Sequence, residues 1–187
     1  MLDTTFGPGG GGSVTTSLGS TINDAFAIAL APNGKIIAVG TSGVSINQRG
    51  FGLVRYTANG SADTTFGSVG NGTVTTQIRF RDGAQAIAIQ TDGKIVVGGH
   101  TSTNSTNLED FALVRYNENG TLDTSFGTGG IVTTSVNSGG DQAHALVIQP
   151  DGKIVLAGFT RVGAANDFAL VRYNANGTLD TSFGSNG

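Results

Sequence analysis

The sequence contains no cysteine and no tryptophan, only three prolines, and charged residues make up just 12% of its 187 residues. Without cysteine, the chain has no disulfide, no thiolate nucleophile and no cysteine-ligated zinc site. Its ten basic residues are too few and too scattered for a nucleic-acid-binding surface. No apolar run approaches the length that spans a bilayer. We therefore expect no nucleic-acid partner and no membrane insertion.

Glycine, in contrast, is abundant, with 31 residues, and hydrophobic residues make up 37% of the chain. The net charge is only -3. Disordered chains combine low hydrophobicity with high net charge, so we expect a folded protein. The chain does not open on a signal peptide. The protein is then either cytoplasmic or has had its signal removed. Its lack of cysteine and its polar Thr, Ser, Asn and Gly content favour the second, an extracellular or cell-surface bacterial protein.

Internal repetition is the strongest signal in the sequence. The motif Asp-Thr-Thr/Ser-Phe-Gly begins at positions 3, 63, 123 and 180, with spacings of 60, 60 and 57. Leu-Val-Arg-Tyr returns at residues 53–56, 113–116 and 170–173. The chain is therefore one repeat module over residues 1–187, with repeats at about 2–61, 62–121 and 122–178 and a trailing partial motif at 179–187.

Each repeat is predicted to be all-β, because its apolar runs are short, rich in Val, Ile, Thr and Phe, and bounded by turn residues. A Thr-rich segment, an Ala-rich strand and two further strands follow one another, and Pro-Asn-Gly or Pro-Asp-Gly suits a three-residue hairpin turn. The predicted strands are 14–16, 25–31, 35–40 and 51–56 in the first repeat, 74–76, 84–90, 94–99 and 111–116 in the second, and 132–134, 143–149, 153–158 and 168–173 in the third.

Several of these strands are apolar at successive positions, as in residues 36–39, which predicts burial on both faces. A small four-stranded sheet covered on both faces by its neighbours is a propeller blade. We therefore predict β-propeller blades, with the Ala-rich strand innermost and the Thr-rich strand at the rim. A sandwich or a solenoid fits the repeat length less well.

The same residues resemble a known repeat family. Leu-Asp-Thr-Ser-Phe-Gly, Val-Thr-Thr, Gln-Pro-Asp-Gly-Lys-Ile-Val and Asp-Phe-Ala-Leu-Val-Arg-Tyr-Asn are similar to the delta-60 repeat, a bacterial β-propeller repeat found in large, often exported proteins. The resemblance covers essentially the whole chain and is best in the third unit. It implies a fold and a location, and it implies no activity.

Three blades are fewer than the four to eight of known propellers. Exposed blade faces and strand edges also favour association. We expect a homodimer that closes a six-bladed ring by head-to-tail pairing, in which the N-terminus of one chain pairs with the last blade of another. An excerpt of a longer array, natural or engineered, and an irregular closed form are the alternatives.

Residues that return in every repeat are predicted to be structural. The aspartates Asp63, Asp123 and Asp180, like Asp3, precede Thr-Thr or Thr-Ser and suit turns that the side chain caps; calcium binding is the alternative. The arginines Arg55, Arg115 and Arg172 lie in apolar strands and need carboxylate partners, from the repeat motif or from Asp110 and Asp167, with ligand binding as the alternative. The lysines Lys35, Lys94 and Lys153 are expected to be solvated flanks of a hairpin.

Residues that vary between repeats are the candidates for binding, because loops on a rigid scaffold usually carry function. The variable loops precede the Ala-rich strand and the last strand of each unit. A protein or a carbohydrate is the ligand that we consider for them; unselected loop variation is the alternative. The candidate binding residues are Arg49, Arg79, Phe80, Arg81, Glu109 and Arg161.

The sequence favours no catalytic centre. His100 and His144 do not repeat, have no partner histidines at metal-ligand spacing and accompany no nucleophile motif. The glycine-rich stretches lack the Lys-Ser/Thr and the helix of a phosphate loop, so we expect no cofactor. We therefore expect a non-enzymatic structural or interaction scaffold. The alternative is a sugar-binding or hydrolytic propeller with its site near the central channel.

Overall fold

The structure is a computed structural model that describes residues 1–103, 108–185 and 187. Within these residues the chain forms eleven β-strands and no helix. The strands are β1 (Ile22–Leu30), β2 (Ile36–Ser45), β3 (Gln48–Tyr56), β4 (Thr73–Thr76), β5 (Arg81–Ile89), β6 (Ile95–Ser102), β7 (Glu109–Tyr116), β8 (Ile131–Thr134), β9 (Asp141–Ile148), β10 (Ile154–Val162) and β11 (Ala165–Tyr173). None of the described segments is a helix long and apolar enough to cross a membrane.

The strands form three antiparallel meanders, which we term blade 1 (β1–β4), blade 2 (β5–β8) and blade 3 (β9–β11). A single parallel bridge between Arg49 of β3 and Arg81 of β5 connects blades 1 and 2. The all-β fold with one propeller blade for each repeat is confirmed. The Ala-rich strand begins each blade, and in blades 1 and 2 the Thr-rich strand lies at the opposite edge. Blade 3 has three strands among the described residues, not the four predicted.

The Thr-rich strand completes the blade that precedes it in the chain. β4 pairs with β3, in register from Phe51–Thr76 to Val54–Thr73, and β8 pairs with β7 in the same way. The prediction that residues 14–16 form a strand is wrong, because this first copy of the segment lies outside the described strands. By analogy with β4 and β8, residues 14–16 would pair with the last strand of a blade that precedes β1.

Each hairpin between the first two strands of a blade closes with a three-residue turn. In blade 1 the Ala31 N–H donates to the Lys35 carbonyl at 2.8 Å, and the Gly34 N–H donates to the Ala31 carbonyl at 2.9 Å. Gly34 has a φ of +77°, which a side chain disfavours. The turn chemistry read from Pro-Asn-Gly therefore matches the structure.

A bulge in the first strand of each blade brings two backbones unusually close. In blade 2 the register shifts between Ala84 and Ala86, opposite Gly99 of β6. A Cβ atom added at Gly99 would lie 1.9 Å from the Gly83 carbonyl oxygen. Gly40 and Gly158 occupy the same position in the other blades, with corresponding distances of 1.8 and 1.9 Å. Glycine is thus required here by the approach of the neighbouring strand.

The hydrophobic core consists of two layers, one at each junction between blades. In the first layer, Phe51 and Leu53 of β3 pack together with Val97 of β6 and Val114 of β7. In the second layer, Phe111 and Leu113 of β7 pack with residues of blade 3. Only blade 2 has a neighbour on both sides, and it buries apolar residues on both of its faces.

We predict that Gly99→Ala destabilises the protein by about 3 kcal/mol, because the new methyl group must push the β5 backbone aside. Urea unfolding followed by circular dichroism measures the effect. Gly9→Ala is the matched control, since a Cβ atom there has no neighbour within 4 Å and Gly9 does not have positive φ. Equal stability of the two variants would contradict the close approach.

Candidate functional site

Each blade carries the same cluster of a lysine, an arginine, an aspartate and a phenylalanine, which we term the clasp. In blade 2, Arg115 Nε and Lys94 Nζ both donate to Asp123 Oδ2, at 2.7 and 2.9 Å. Asp123 Oδ1 accepts from the N–H and the hydroxyl of Ser125, at 3.2 and 2.6 Å. The Arg115 guanidinium lies 4.3 Å from the ring centre of Phe126. The other clasps are Lys35, Arg55, Asp63 and Phe66, and Lys153, Arg172, Asp180 and Phe183.

The repeated aspartates and arginines bind each other within the clasp of each blade. Each aspartate caps its own turn and also neutralises the arginine of the same blade. The expectation that the lysines are solvated hairpin flanks is wrong, because Lys94 pairs with Asp123 and its side chain is only 30% exposed. The lysine and the aspartate are 29 residues apart in the sequence, so the turn pattern around the lysine gave no sign of this pairing.

The pKa values of the clasp aspartates are lowered in the folded protein. Burial by itself raises the pKa of the Asp123 carboxyl, but hydrogen bonds from Lys94 and Ser125 and the charge of Arg115 outweigh it and hold the pKa far below its ordinary value. The pKa of Asp63 is lowered in the same way. The pKa of Asp180 is lowered chiefly by hydrogen bonds from Lys153 and Ser182.

The clasp also joins its blade to the next one. Arg115 Nη1 donates to the carbonyl oxygen of Ala175 at 2.6 Å, and the Gly127 N–H donates to that of Asn176 at 2.9 Å. The Phe126 ring lies against Gly177, where an added Cβ atom would be 2.9 Å from the ring. Between blades 1 and 2 the same contacts involve Arg55 with Glu118, Gly67 with Asn119 and Phe66 with Gly120.

A tyrosine–threonine hydrogen bond reinforces each junction. The Tyr116 hydroxyl in blade 2 donates to Thr76 Oγ1 in the last strand of blade 1 at 2.8 Å. Tyr173 and Thr134 repeat this bond between blades 2 and 3 at 2.8 Å. Tyr56 of blade 1 donates in the same way to Thr16, at 2.8 Å. Residues 14–16 are therefore held beside blade 1 where the last strand of a preceding blade would lie.

The two ends of the blade stack expose faces that are buried inside it. Phe168 of β11 is 98% exposed, whereas its equivalents Phe51 and Phe111 are 0% exposed. At the other end Ile28 and Leu30 of β1 are 69% and 71% exposed. We term the first surface the front face, made of Val147, Phe168 and Leu170, and the second the back face, made of Phe26, Ile28 and Leu30.

The front face adjoins an open strand edge. Within the described part of the chain β11 pairs only with β10, whereas β3 and β7 each have a Thr-rich strand on the other side. The C-terminal copy of the motif remains attached to blade 3, since the Arg172 N–H donates to the Gly187 carbonyl oxygen at 2.9 Å. An unpaired edge beside an apolar face is a site for strand pairing with another chain.

Three of the six candidate binding residues in the variable loops come together in the structure. Arg49 and Arg81 are paired in the parallel bridge between β3 and β5. Arg81 Nη2 lies 3.9 Å from Glu109 Oε1, and Glu109 Oε2 accepts from Gln142 Nε2 at 2.6 Å. This polar cluster spans all three blades at one end of the strands. A binding role for it stays a prediction.

The other three candidate residues make separate contacts. Arg79 forms an ion pair with Asp110 and donates to Thr133 Oγ1 at 3.1 Å. The Phe80 side chain is 40% exposed. The Arg161 N–H donates to the Gly140 carbonyl oxygen at 3.0 Å in blade 3. Residues 104–107 of the loop before β7, also a predicted binding loop, lie outside the described residues.

The two histidines lie close to the polar cluster. Burial lowers the pKa of His100 to about 4, although nearby Glu109 opposes this shift and Arg49 and His144 add to it. The His144 ring lies 5.7 Å from that of Phe159. In the described ranges no three His, Asp or Glu side chains are placed to hold a metal ion. The lowered pKa keeps the half-buried His100 imidazole neutral at neutral pH.

Sequence reasoning missed a second aspartate column, which orders the variable loops. Asp82 accepts hydrogen bonds from the N–H groups of Ile78 and Arg79 and from the Thr101 hydroxyl, the last at 2.5 Å. Asp141 accepts from the N–H groups at residues 136 and 137. Both aspartates are 0% exposed. Each of these aspartates directly follows a variable loop, and Asn23 holds the equivalent position in blade 1. This repeated position was the available signal.

The fold and the repeated clasp define a β-propeller repeat protein. A family model described as "Domain of unknown function (DUF5122) beta-propeller" matches residues 31–66, 90–126 and 149–183. These segments make up more than half of the chain, and the chain belongs to this family. Each of them runs from a hairpin turn to the clasp phenylalanine.

Among solved structures, the chain is similar to an alpha-L-arabinofuranosidase (CtGH43) from Clostridium thermocellum, with 13% sequence identity and a TM-score of 0.45. The match covers 85% of this chain and 49% of the enzyme chain, so the chain spans about half of that structure's length. No curated protein matches the chain.

We predict that Asp123→Asn destabilises the protein by about 3 kcal/mol at neutral pH, because Arg115 loses its carboxylate in a buried site. Thermal or urea unfolding measures the loss. Since the pKa of Asp123 is lowered in the folded protein, this stabilisation is present above an ordinary aspartate pKa of about 4 and is lost as the pH falls further. The difference in free energy of unfolding between the wild type and Asp123→Asn should therefore become smaller as the pH falls below about 4.

The matched control is Asp3→Asn, in the motif copy whose carboxylate caps only Thr5 among the described contacts. We expect the control to lose less than about 0.5 kcal/mol, as an exposed substitution usually does. A control that loses as much as Asp123→Asn would show that the turn cap, and not the ion pair, stabilises the repeat.

We predict that His100→Phe, the residue at the equivalent position in blade 3, removes a pH dependence of stability. The lowered pKa of His100 means that the unfolded chain binds a proton first as the pH falls below about 6.5. The free energy of unfolding of the wild type should fall by roughly 3 kcal/mol between pH 6.5 and pH 4 because of this group. Urea unfolding of both proteins across this range tests it, and parallel pH profiles would contradict it.

Proposed function

We propose that this protein is a non-enzymatic β-propeller scaffold module that assembles with a second copy of itself, head to tail, into a six-bladed ring. The observation that carries the proposal is the 98% exposure of Phe168, at a position where Phe51 and Phe111 are fully buried. A large aromatic side chain left open on a sheet face marks an interaction surface. The partner of that surface is supplied by the chain itself.

The front face and the back face are complementary because the same pair of faces meets twice within the chain. Between blades 1 and 2, Phe51 and Leu53 belong to the same core layer as Ile87 and Ile89 of β5. Between blades 2 and 3, Phe111 and Leu113 share a core layer with Leu146 and Ile148 of β9. The front face carries the Phe and Leu positions, and Ile28 and Leu30 of the back face occupy the Ile positions.

A front face that binds a back face makes a heterologous contact, which forms a closed ring when the rotation closes. With three blades in each chain, two chains supply six blades, within the range of known propellers. Both junctions of such a ring are equivalent, and each covers one front face and one back face. The ring thus removes both exposed apolar surfaces without requiring a different partner.

A scaffold role also accommodates the polar residues of the chain. The ionised groups of the clasps are used in holding blades together. Arg49, Arg81 and Glu109 form a largely buried polar cluster that spans the blades, and we propose them as the site for a protein or carbohydrate ligand. A place outside the cell remains a proposal from the sequence.

We predict that the wild-type protein at micromolar concentration has twice the chain mass of 18.8 kDa, and that Phe168→Asp has the mass of one chain. A charge on the front face would be buried without a partner in the ring. Multi-angle light scattering after gel filtration measures the mass. The matched control is Val69→Asp, at an apolar residue that is 79% exposed on the loop between β3 and β4 and belongs to neither end face as defined above.

Control and wild type should have the same mass. A wild-type mass of one chain, or a Phe168→Asp variant that keeps the mass of two, would overturn the proposed assembly. Far-UV circular dichroism of the variant excludes unfolding as the cause of a changed mass.

A further inference from the structure

The chain contains two incomplete clasp motifs, one at each end of the blade stack. A complete motif contacts its own blade and the next one, as Phe66 does with Arg55 and Gly120. The N-terminal copy makes only the second contact, since the Phe6 ring lies 2.9 Å from the position of a Cβ atom added at Gly60. The C-terminal copy makes only the first, with the Arg172 guanidinium 4.5 Å from the Phe183 ring centre.

At a head-to-tail junction both incomplete motifs would have to occupy the same place. The turn of blade 1 offers one site for a motif, with the Asn59 carbonyl oxygen accepting from the Gly7 N–H at 2.8 Å. The equivalent donor of an incoming blade 3 is the Gly184 N–H, and the equivalent ring is Phe183. One of the two motifs must therefore leave when the ring closes.

The charged contacts decide which motif stays. Asp180 accepts from Lys153 and from Arg172, both at 2.8 Å, so releasing the C-terminal motif would leave a half-buried arginine without its carboxylate. The Asp3 carboxylate accepts hydrogen bonds from Thr5 and, within the described part of the chain, pairs with no cation. The N-terminal motif is thus held by far fewer contacts.

Resting on the proposed ring, we propose that residues 3–12 are a placeholder on the turn of blade 1, displaced during assembly by residues 180–185 of the second copy. In the free chain, residues 3–12 cover the site at which the equivalent motif of the partner binds in the ring. This arrangement protects the Asn59–Gly60 turn in the monomer and weakens association by the free energy needed to detach the placeholder.

The displacement leaves residues 14–16 in place as a fourth strand for the partner's blade 3. Tyr56 keeps Thr16 at the position that Thr76 and Thr134 hold in β4 and β8. The register of those strands pairs Thr16 with Phe168, Thr15 with Ala169 and Val14 with Leu170 of the second copy. The polar Thr-rich strand then covers the edge of β11.

The alternation of hydrogen-bonded residues along β11 specifies which backbone groups would pair with the second copy. The Arg172 N–H already donates to the Gly187 carbonyl oxygen, and hydrogen-bonded pairs alternate along antiparallel strands. Leu170 and Phe168 are therefore the residues whose N–H and C=O groups point to the open edge. They would bond to Val14 and Thr16 of the second copy, whereas the N–H of Thr15 points away.

The experiment compares the dimer dissociation constants of two pairs of full-chain variants by analytical ultracentrifugation. Phe6→Ala, which weakens the placeholder, should lower the dissociation constant about tenfold, and Phe183→Ala should raise it about tenfold. Val14→Pro removes a donor that faces the partner and should weaken the dimer. Thr15→Pro removes a donor that points away from the partner's strand and should leave the constant unchanged.

Hydrogen exchange gives a second readout on the wild type, in which residues 3–12 should exchange faster in the dimer than in the monomer. A dimer that Phe6→Ala weakens and Phe183→Ala leaves unchanged would overturn the displacement, while the ring itself would stand. Equal effects of the two proline variants would overturn the strand pairing. A monomeric wild type would instead overturn the ring, so the two failures are distinguishable. Thermal melts confirm that each variant is folded.

Discussion

A buried guanidinium that needs a carboxylate determines how this protein is built. Arg55 and Arg115 are 4% and 7% exposed in the middle of apolar strands, where an unpaired charge would be strongly destabilising. The Asp of the following motif satisfies that requirement, and the remaining N–H groups reach the backbone of the next blade. The same ion pair therefore folds the motif onto its own blade and fixes the next blade beside it.

Because each junction depends on the same contacts, the chain behaves as a row of units stabilised by their neighbours. Blade 2 has a neighbour on both sides and buries Phe111 and Leu113 completely. Blade 3 exposes the equivalent Phe168 and Leu170 to solvent, and blade 1 exposes Ile28 and Leu30 on its opposite face, although all three blades fold in the same way. The exposed ends are thus a consequence of the number of blades, and the proposed function and the placeholder both arise from them.

The residues that differ between blades have a separate physical role. Arg49, Arg81 and Glu109 lie near the starts of strands, where neighbouring blades meet. Asp82 and Asp141 order the loops before β5 and β9 by accepting backbone N–H groups. This division keeps the clasps constant while the loops vary. Proteins with a rigid scaffold commonly place recognition on such loops, and the cluster has the mixed charge to contact a polar ligand.

The sequence by itself determined the strands, the hairpin turns and the three-fold repetition, because these depend on local patterns such as Pro-Asn-Gly and alternating or continuous apolar runs. It also indicated that the repeated Asp and Arg residues are structural. Only the tertiary structure decided that Lys94 joins Asp123, that residues 14–16 lack a strand partner, and that Phe6 and Phe183 each hold half of a clasp. Those contacts join residues far apart in the chain, and their existence depends on whether a neighbouring blade is present, which no local pattern records.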